Sequence, residues 1–224
     1  MGARPDPRDP PRLRAAGSGV EVANLRAKLG VAPGAFRVLY AGTFGMFKDT
    51  RWIVEAAARF KREGNERVQF VVAGDGNERR KLQDFAAENG LSNVRFVGSF
   101  PKAAIPALLS AADCVVIALK SLEFLNGTLP RKMFEAMSCA KPVVLAAAGE
   151  AEEVVRNAEG GIVVPPENTA RIHDAVMSLL TNPEQARARG RRGGGVGTDH
   201  APAQNSHPER PGRPLCGGRA IGPA

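Results

Sequence analysis

Short apolar runs alternate with helical patterns between residues 36 and 180, and this alternation limits the possible folds more than any other feature of the chain. Each run has the length of a β-strand and is apolar at nearly every position, which predicts strands buried on both faces. Strands separated by helices pair in parallel through right-handed crossovers. The sequence therefore predicts an α/β fold with a doubly wound, Rossmann-like parallel sheet, its strands at residues 36–41, 68–73, 94–97, 114–119, 142–146 and 161–164.

Composition divides the chain into three segments. Residues 1–30 are expected to form a partly disordered linker with one short helix, which ends at Gly30 because glycine readily adopts the left-handed conformation that closes a helix. Residues 31–190 carry the strand–helix alternation and are predicted to form the folded domain. Residues 191–224 are rich in Gly, Pro and Arg and are predicted to be a disordered tail. One hypothesis for this abrupt change is a frameshifted or truncated gene end.

The formal net charge of +8 lies mainly outside the predicted domain. Residues 1–30 contribute +3 and residues 184–224 contribute +4, whereas residues 31–183 hold 18 basic and 17 acidic side chains. A nearly neutral domain does not favour binding to a phosphate backbone, so no nucleic-acid partner is predicted.

No apolar run approaches the ~20 residues that a transmembrane helix needs, and the N-terminus has no signal-peptide pattern. The expected location is therefore the cytoplasm, with peripheral association at the inner face of the membrane left open. The chain contains no Asp-x-Asp triplet, and its cysteines do not have zinc-site spacing, so neither a metal nor another cofactor is expected.

The first informative loop follows the first predicted strand, where a parallel sheet places its ligands. Gly42 and Gly45 would allow backbone N–H groups to approach an anion, and Lys48 adds a full charge beside the start of the next helix. The alternative is an ordinary glycine turn with a solvated lysine.

A second loop, Gly74-Asp75-Gly76, follows the second predicted strand. It resembles part of a dinucleotide-binding fingerprint, but Arg79 stands where that pattern needs glycine or alanine. A tight structural turn is the favoured interpretation. A nicotinamide-dependent dehydrogenase is disfavoured because the fingerprint is absent after the first predicted strand.

The third loop, at residues 127–130, has the most specific pattern. Gly127, Thr128 and Leu129 form a flexible polar segment that ends at Pro130, a residue type favoured in the first turn of a helix. We therefore expect Thr128 and Leu129 to present backbone N–H groups to an anion at the N-terminus of that helix.

The helix after this loop carries Lys132 in its first turn, where a cation is unfavourable unless an anion is bound nearby. Glu135 follows one turn later and could accept hydrogen bonds from sugar hydroxyls. The alternative is a solvated first turn, with Phe134 and Met137 in the core. His173 lies on the last predicted helix, away from these loops, and is interpreted as a surface or packed residue rather than a catalyst.

Several of these segments together resemble a known family. The chain is similar, over about residues 31–190, to the C-terminal domain of the family-4 retaining glycosyltransferases of the GT-B fold, most like bacterial enzymes that build surface polysaccharide. The matching blocks are residues 40–45 (YAGTFG), 72–76 (VAGDG), 93–98 (NVRFVG), 112–113 (AD), 130–144 (PRKMFEAMSCAKPVV), 149–150 (GE), 160–166 (GGIVVPP) and 179–180 (LL).

The resemblance implies that this domain is one half of a GT-B enzyme and binds a nucleotide-sugar donor, a UDP- or GDP-sugar. In that arrangement Glu135 would hold the ribose, Gly45, Lys48 and the loop before Pro130 would hold the diphosphate, and the base would lie near Gly98. The acceptor would be a polysaccharide or a lipid-linked molecule, bound by a separate acceptor-binding domain or subunit without which the chain is expected to be inactive.

Two positions depart from the family pattern. Gly127 stands where the family often has a glutamate, and Thr43 replaces the usual arginine of the first loop. No catalytic residue is assigned. Two alternatives stay open: an epimerase-like GT-B protein that acts on a UDP-sugar, and an inactive nucleotide-binding module or pseudogene product.

Overall fold

All six predicted strands are present and form one parallel sheet in the order β3-β2-β1-β4-β5-β6. The structure is a computed structural model that describes residues 25, 28–45 and 50–200, without the side chains of residues 198–200. The strand order reverses between β1 and β4, as in a doubly wound sheet. The strands are β1 Phe36–Ala41, β2 Val68–Ala73, β3 Val94–Gly98, β4 Cys114–Ala118, β5 Val143–Ala146 and β6 Gly161–Val164.

Helices cover both faces of this sheet. They are α1 Arg51–Arg62, α2 Arg79–Glu88, α3 Ile105–Ala111, α4 Arg131–Ser138, α5 Glu150–Asn157, α6 Thr169–Thr181 and α7 Pro183–His200, with short 3-10 turns at Lys102–Ala104 and Glu123–Leu125. In α1, Ile53, Ala57 and Phe60 recur at helical spacing and are all buried. A segment with such an apolar stripe is stable as a helix because it can bury that face against a sheet.

Neighbouring residues of the strands enter two different cores. Val38 and Tyr40 of β1 belong to the core that includes Ile53 of α1. Leu39, between them, belongs to the opposite core, which includes Leu108 of α3. Strands with apolar side chains on both faces are thus buried from both sides, which confirms the α/β prediction.

The predicted end of the folded domain at residue 190 is wrong, because α7 continues to His200. Residues 191–200 are therefore helical, and residues 201–224 lie outside the described part of the chain. Gly190, Gly193 and Gly197 lie on one face of α7, where the backbone meets neighbouring backbone closely. A Cβ at Gly190 would overlap the carbonyl oxygen of Ala140. Composition suggested disorder, but here the glycines permit close helix packing.

The N-terminal prediction is tested only in part, because residues 1–24 lie outside the described residues. Leu25 and Lys28 are helical, and Gly30 follows with a φ of +66°. That left-handed conformation is the one expected of a glycine that ends a helix.

Candidate functional site

A cavity of about 450 Å³ opens at the carboxyl ends of β1, β2 and β4. Its walls include Gly42 and Thr43 after β1, Asp75 after β2, and Lys132 and Glu135 from α4. This is the point at which the strand order reverses, where open α/β sheets bind their ligands. The fold therefore brings residues of all three predicted loops to one cavity, together with the start of α4.

The first loop is fixed to the second by backbone hydrogen bonds. The N–H of Gly42 donates to the carbonyl of Ala73 at 2.8 Å, and the N–H of Phe44 donates to the carbonyl of Asp75 at 3.0 Å. The N–H of Gly42 is therefore engaged within the protein, contrary to the expectation that it faces an anion. Gly42 contributes space instead, because a Cβ there would overlap the ammonium group of Lys132.

The glycines of the second loop have a structural role. Gly74 and Gly76 have φ values of +136° and +155°, which favour glycine. A Cβ on Gly74 would overlap the carbonyl oxygen of Gly42, and a Cβ on Gly76 would overlap that of Phe44. The two loops could not approach this closely with larger residues, which agrees with the interpretation of a tight turn. Asp75, between the two glycines, still lines the cavity.

Helix α4 points its N-terminus at the cavity. Its first turn carries Arg131 and Lys132 and no acidic side chain, and Pro130 precedes it without a side-chain cap. The first turn of α5 instead carries three glutamates. Because a helix N-terminus is electropositive, two cations there raise a local positive potential that attracts an anion.

Glu135 faces the same cavity one turn into α4. One oxygen of its carboxylate, Oε1, lies 3.5 Å from the Nη2 atom of Arg131, and its side chain is 19% exposed. A carboxylate in that position can accept hydrogen bonds from hydroxyl groups of a ligand. Anion-attracting and hydroxyl-binding groups thus lie side by side.

Four of the nine predicted site residues line the cavity, namely Gly42, Thr128, Lys132 and Glu135. The residues Gly45, Gly98, Gly127 and Leu129 are not among those that line it, and Lys48 lies outside the described residues. Gly98 accepts a hydrogen bond from the N–H of Gly74 at 2.7 Å and is followed by two residues that do line the cavity, Ser99 and Phe100.

The backbone N–H of Thr128 is not positioned as predicted. It donates to the carbonyl of Leu125 at 2.9 Å, because the 3-10 turn at Glu123–Leu125 leads into a further tight turn. The backbone N–H of Thr128 is therefore engaged within the protein, although Thr128 lines the cavity.

Sequence reasoning missed Tyr40, Asp75, Ser99, Phe100 and Arg131 as cavity residues. Position alone could have suggested them, since each lies within three residues of the carboxyl end of a strand or in the first turn of α4. Tyr40 is buried, and burial raises the pKa of its hydroxyl well above the ordinary value.

His173 lies away from this cavity, as predicted. Its ring is 4.2 Å from that of Phe60, and its Nε2 atom lies 2.8 Å from Oε2 of Glu63. It is a packed residue that joins α6 to α1.

The described residues contain neither a metal-binding cluster nor a membrane-spanning helix. None of their His, Cys, Asp and Glu side chains forms a group of three that could hold a metal ion. Over the same residues, no helix has the length and apolar character needed to cross a membrane.

A comparison with known protein families assigns this chain to one of them. The model of the family described as glycosyl transferases group 1 matches residues 21–194. The chain belongs to this family. That match includes all three predicted loops and the α4 helix of the cavity. It extends four residues past residue 190, the predicted end of the domain.

Curated relatives of the chain are named as glycosyltransferases. The chain is 33% identical over 148 residues to an alpha-D-kanosaminyltransferase of Streptomyces kanamyceticus. That alignment covers 66% of this chain and 37% of the relative. It is 31% identical over 192 residues to a 2-deoxystreptamine glucosyltransferase of the same organism, with 84% and 47% covered. The chain thus spans less than half the length of these two relatives.

Solved structures agree on the architecture. Anabaena HepE, in complex with UDP and glucose, superposes with a TM-score of 0.69 at 25% identity, over 80% of this chain and 47% of HepE. The C-terminal domain of the Francisella tularensis group 1 protein LpcC superposes with a TM-score of 0.61 at 21% identity, over 81% of this chain and 97% of that domain. The group 1 chain described here has the Rossmann-like fold that forms one half of GT-B glycosyltransferases.

Proposed function

We propose that this chain is the donor-binding part of a retaining, family-4 glycosyltransferase. It binds a nucleoside-diphosphate sugar and supplies it for transfer to a polysaccharide or lipid-linked acceptor. UDP-sugars are the first donors to test, because HepE, part of which has a similar fold, was solved in complex with UDP, and GDP-sugars are the second.

One observation carries this proposal. A single cavity, at the point where the strand order reverses, holds both an electropositive helix N-terminus and a carboxylate. Lys132 and Arg131 lie on the first turn of α4, where the helix dipole also attracts anions. Glu135 lies one turn away and suits the hydroxyls of a ribose. A nucleoside diphosphate carries both groups, whereas a simple phosphate or a neutral sugar carries only one.

The proposed position of the base is at the far wall, near Gly98, where Ser99 and Phe100 line the cavity. An aromatic ring and a hydroxyl can stack on and hydrogen-bond to a planar base. Gly45 and Lys48, at the end of the first loop, are proposed to complete the diphosphate site.

The leaving diphosphate is proposed to be stabilised by the helix end and by the cations, without a bound metal. Donors fixed in place before the reaction stabilise charge that develops on a leaving group. If this is right, UDP affinity will be the same in EDTA as in a magnesium buffer. Tighter binding with magnesium would contradict the metal-independent proposal.

Transfer itself is proposed to need an acceptor-binding domain, in the same polypeptide or in another subunit. The expected site of action is the cytoplasmic face of a membrane or the cytoplasm. Both statements follow from the family resemblance and are open to test in the assembled protein.

Calorimetric titration of the chain with UDP and GDP tests the central proposal. Binding of either nucleotide is expected, with much weaker binding in Lys132→Ala and weaker binding in Glu135→Ala. Lys81→Ala is the matched control, because Lys81 is an exposed cation on α2 that does not line the cavity. Failure of the unaltered chain to bind UDP or GDP would contradict a donor site.

A further inference from the structure

Tyr40 is the single tyrosine of the chain and lies one residue before the end of β1, with only 4% of its surface exposed. Its hydroxyl group donates to the carbonyl of Thr43 at 3.0 Å. Its ring stacks on Phe44, with the ring centroids 5.8 Å apart and the planes at 26°. One side chain therefore holds two successive residues of the loop that forms a wall of the cavity.

The same hydroxyl lies beside the ammonium group of Lys132. A Cβ built on Gly42 would overlap the Nζ atom of Lys132 and would lie 2.8 Å from the hydroxyl oxygen of Tyr40. The two polar groups thus border one small space, left open because residue 42 has no side chain. This space connects the end of β1 with the first turn of α4.

The chemistry of the phenol suits this position. Burial raises the pKa of Tyr40, so the group stays neutral and keeps its proton for the Thr43 carbonyl over the ordinary pH range. Its oxygen still has lone pairs directed to other donors. A neutral acceptor can orient a neighbouring ammonium group without cancelling the charge that an anion requires.

We propose that Tyr40 is a positioning residue for the diphosphate of the donor, acting through Lys132. The inference rests on the proposed function, since it concerns the same cavity. Tyr40 holds the ammonium group over Gly42 before the ligand arrives, and this pre-orientation lowers the entropy that binding costs.

Tyr40→Phe tests this inference because it removes the hydroxyl and retains the ring that stacks on Phe44. The expected result is about a 5- to 10-fold weaker affinity for UDP, the size associated with one hydrogen bond. Affinity for uridine, measured by NMR titration, is expected to be unchanged because uridine has no diphosphate. A merely structural role would weaken the binding of both ligands together.

A double-mutant cycle with Lys132→Met distinguishes action through Lys132 from an independent contact. If Tyr40 acts through the ammonium group, Tyr40→Phe will have little further effect in a Lys132→Met background. Additive losses would overturn the proposed connection. Thr181→Val is the control, because the Thr181 hydroxyl also donates to a carbonyl, that of Met177, but lies on α6 outside the cavity.

The outcomes separate this inference from the proposed function. Lack of UDP binding by the unaltered chain would overturn both. Normal UDP binding by Tyr40→Phe would overturn only the role of Tyr40, and so would failure of that variant to fold, because it would assign Tyr40 to stability.

Discussion

Replacing Gly42 by alanine should separate binding from folding. The backbone at Gly42 lies outside the left-handed region, so alanine can adopt its conformation without strain. The new methyl group would meet side-chain ends, the ammonium of Lys132 and the hydroxyl of Tyr40, rather than backbone. The lysine is flexible and can move into solvent, so the main loss is the position of its charge.

The magnitude follows from what each group loses. Displacing Lys132 removes a charge-assisted contact to the ligand, worth about 1.5–3 kcal/mol, which corresponds to roughly 10- to 150-fold in UDP affinity. Moving the Tyr40 hydroxyl costs one neutral hydrogen bond, so the free energy of unfolding should fall by only about 1 kcal/mol. The variant is therefore expected to fold and to bind UDP poorly.

Gly74→Ala provides the contrast. Its methyl group would overlap the backbone carbonyl of Gly42, and its φ of +136° disfavours any side chain. Backbone cannot move aside as a lysine can, so this variant should lose several kcal/mol of stability or fail to fold.

Calorimetry with UDP, at several salt concentrations, and thermal melting give the readouts for Gly42→Ala. Its residual affinity should depend less on salt than that of the unaltered chain, because a positive charge has moved away from the ligand. Weaker UDP affinity with the full salt dependence would refute the displacement of Lys132 and point to direct contact between the methyl group and the ligand. Unchanged affinity would refute the role of the Lys132 ammonium group, held over Gly42, in binding the diphosphate.

Three further predictions concern charge, packing and pH. Arg131→Gln should weaken UDP binding by about 3- to 10-fold in calorimetry, because it removes a cation from the cavity wall. Gly190→Ala should lower stability by about 1–3 kcal/mol in denaturant unfolding, because its Cβ would overlap a backbone carbonyl. The pKa of Glu63 is lowered from its ordinary value, mainly because Arg59 donates a hydrogen bond to its carboxylate. Ionised Glu63 therefore stabilises the fold above its ordinary pKa, and this stabilisation is lost as the pH falls through the lowered pKa. The melting temperature of Glu63→Gln should therefore depend less on pH in the acid range.

The charge and packing predictions each have a matched control variant. Arg80 also pairs with an acid one turn along its helix but lies on α2 outside the cavity, so Arg80→Gln should leave UDP affinity unchanged. A Cβ at Gly195 would meet nothing within 4 Å, so Gly195→Ala should be neutral or stabilising. The charge prediction would be contradicted if Arg131→Gln and Arg80→Gln changed UDP affinity equally, and the packing prediction if Gly190→Ala and Gly195→Ala changed stability equally. The pH prediction would be contradicted if Glu63→Gln lost stability in acid as steeply as the unaltered chain.

Local signals explain why much of the fold was predictable. Strand-length apolar runs separated by helical patterns depend on neighbouring residues, so all six strands were predicted to within one residue at each end. Lys132 and Glu135 were recognisable for the same reason, since their spacing after Pro130 is a property of one helix start.

What the sequence did not reveal depends on distant contacts. Gly42 and Lys132 are ninety positions apart, and only the folded sheet shows that one leaves space for the other. The N–H of Gly42 donates to Ala73 because the first loop pairs with the end of β2, and the N–H of Thr128 donates to Leu125 because of a local turn. Composition specifies neither arrangement. The fold class was thus encoded locally, whereas the details of the site were not.

Helix α4 joins the site to the part of the chain that composition predicted to be disordered. Its first turn carries Lys132 at the cavity, and its last residue, Ser138, lies against Gly197 of α7. A Cβ on Gly197 would overlap the backbone N of Ser138, so α7 supports α4 through direct backbone packing. Because a helix moves largely as a rigid unit, a shift at that end would also move the ammonium group at the other. Under the proposed function, the glycines of α7 are therefore expected to affect ligand binding as well as stability.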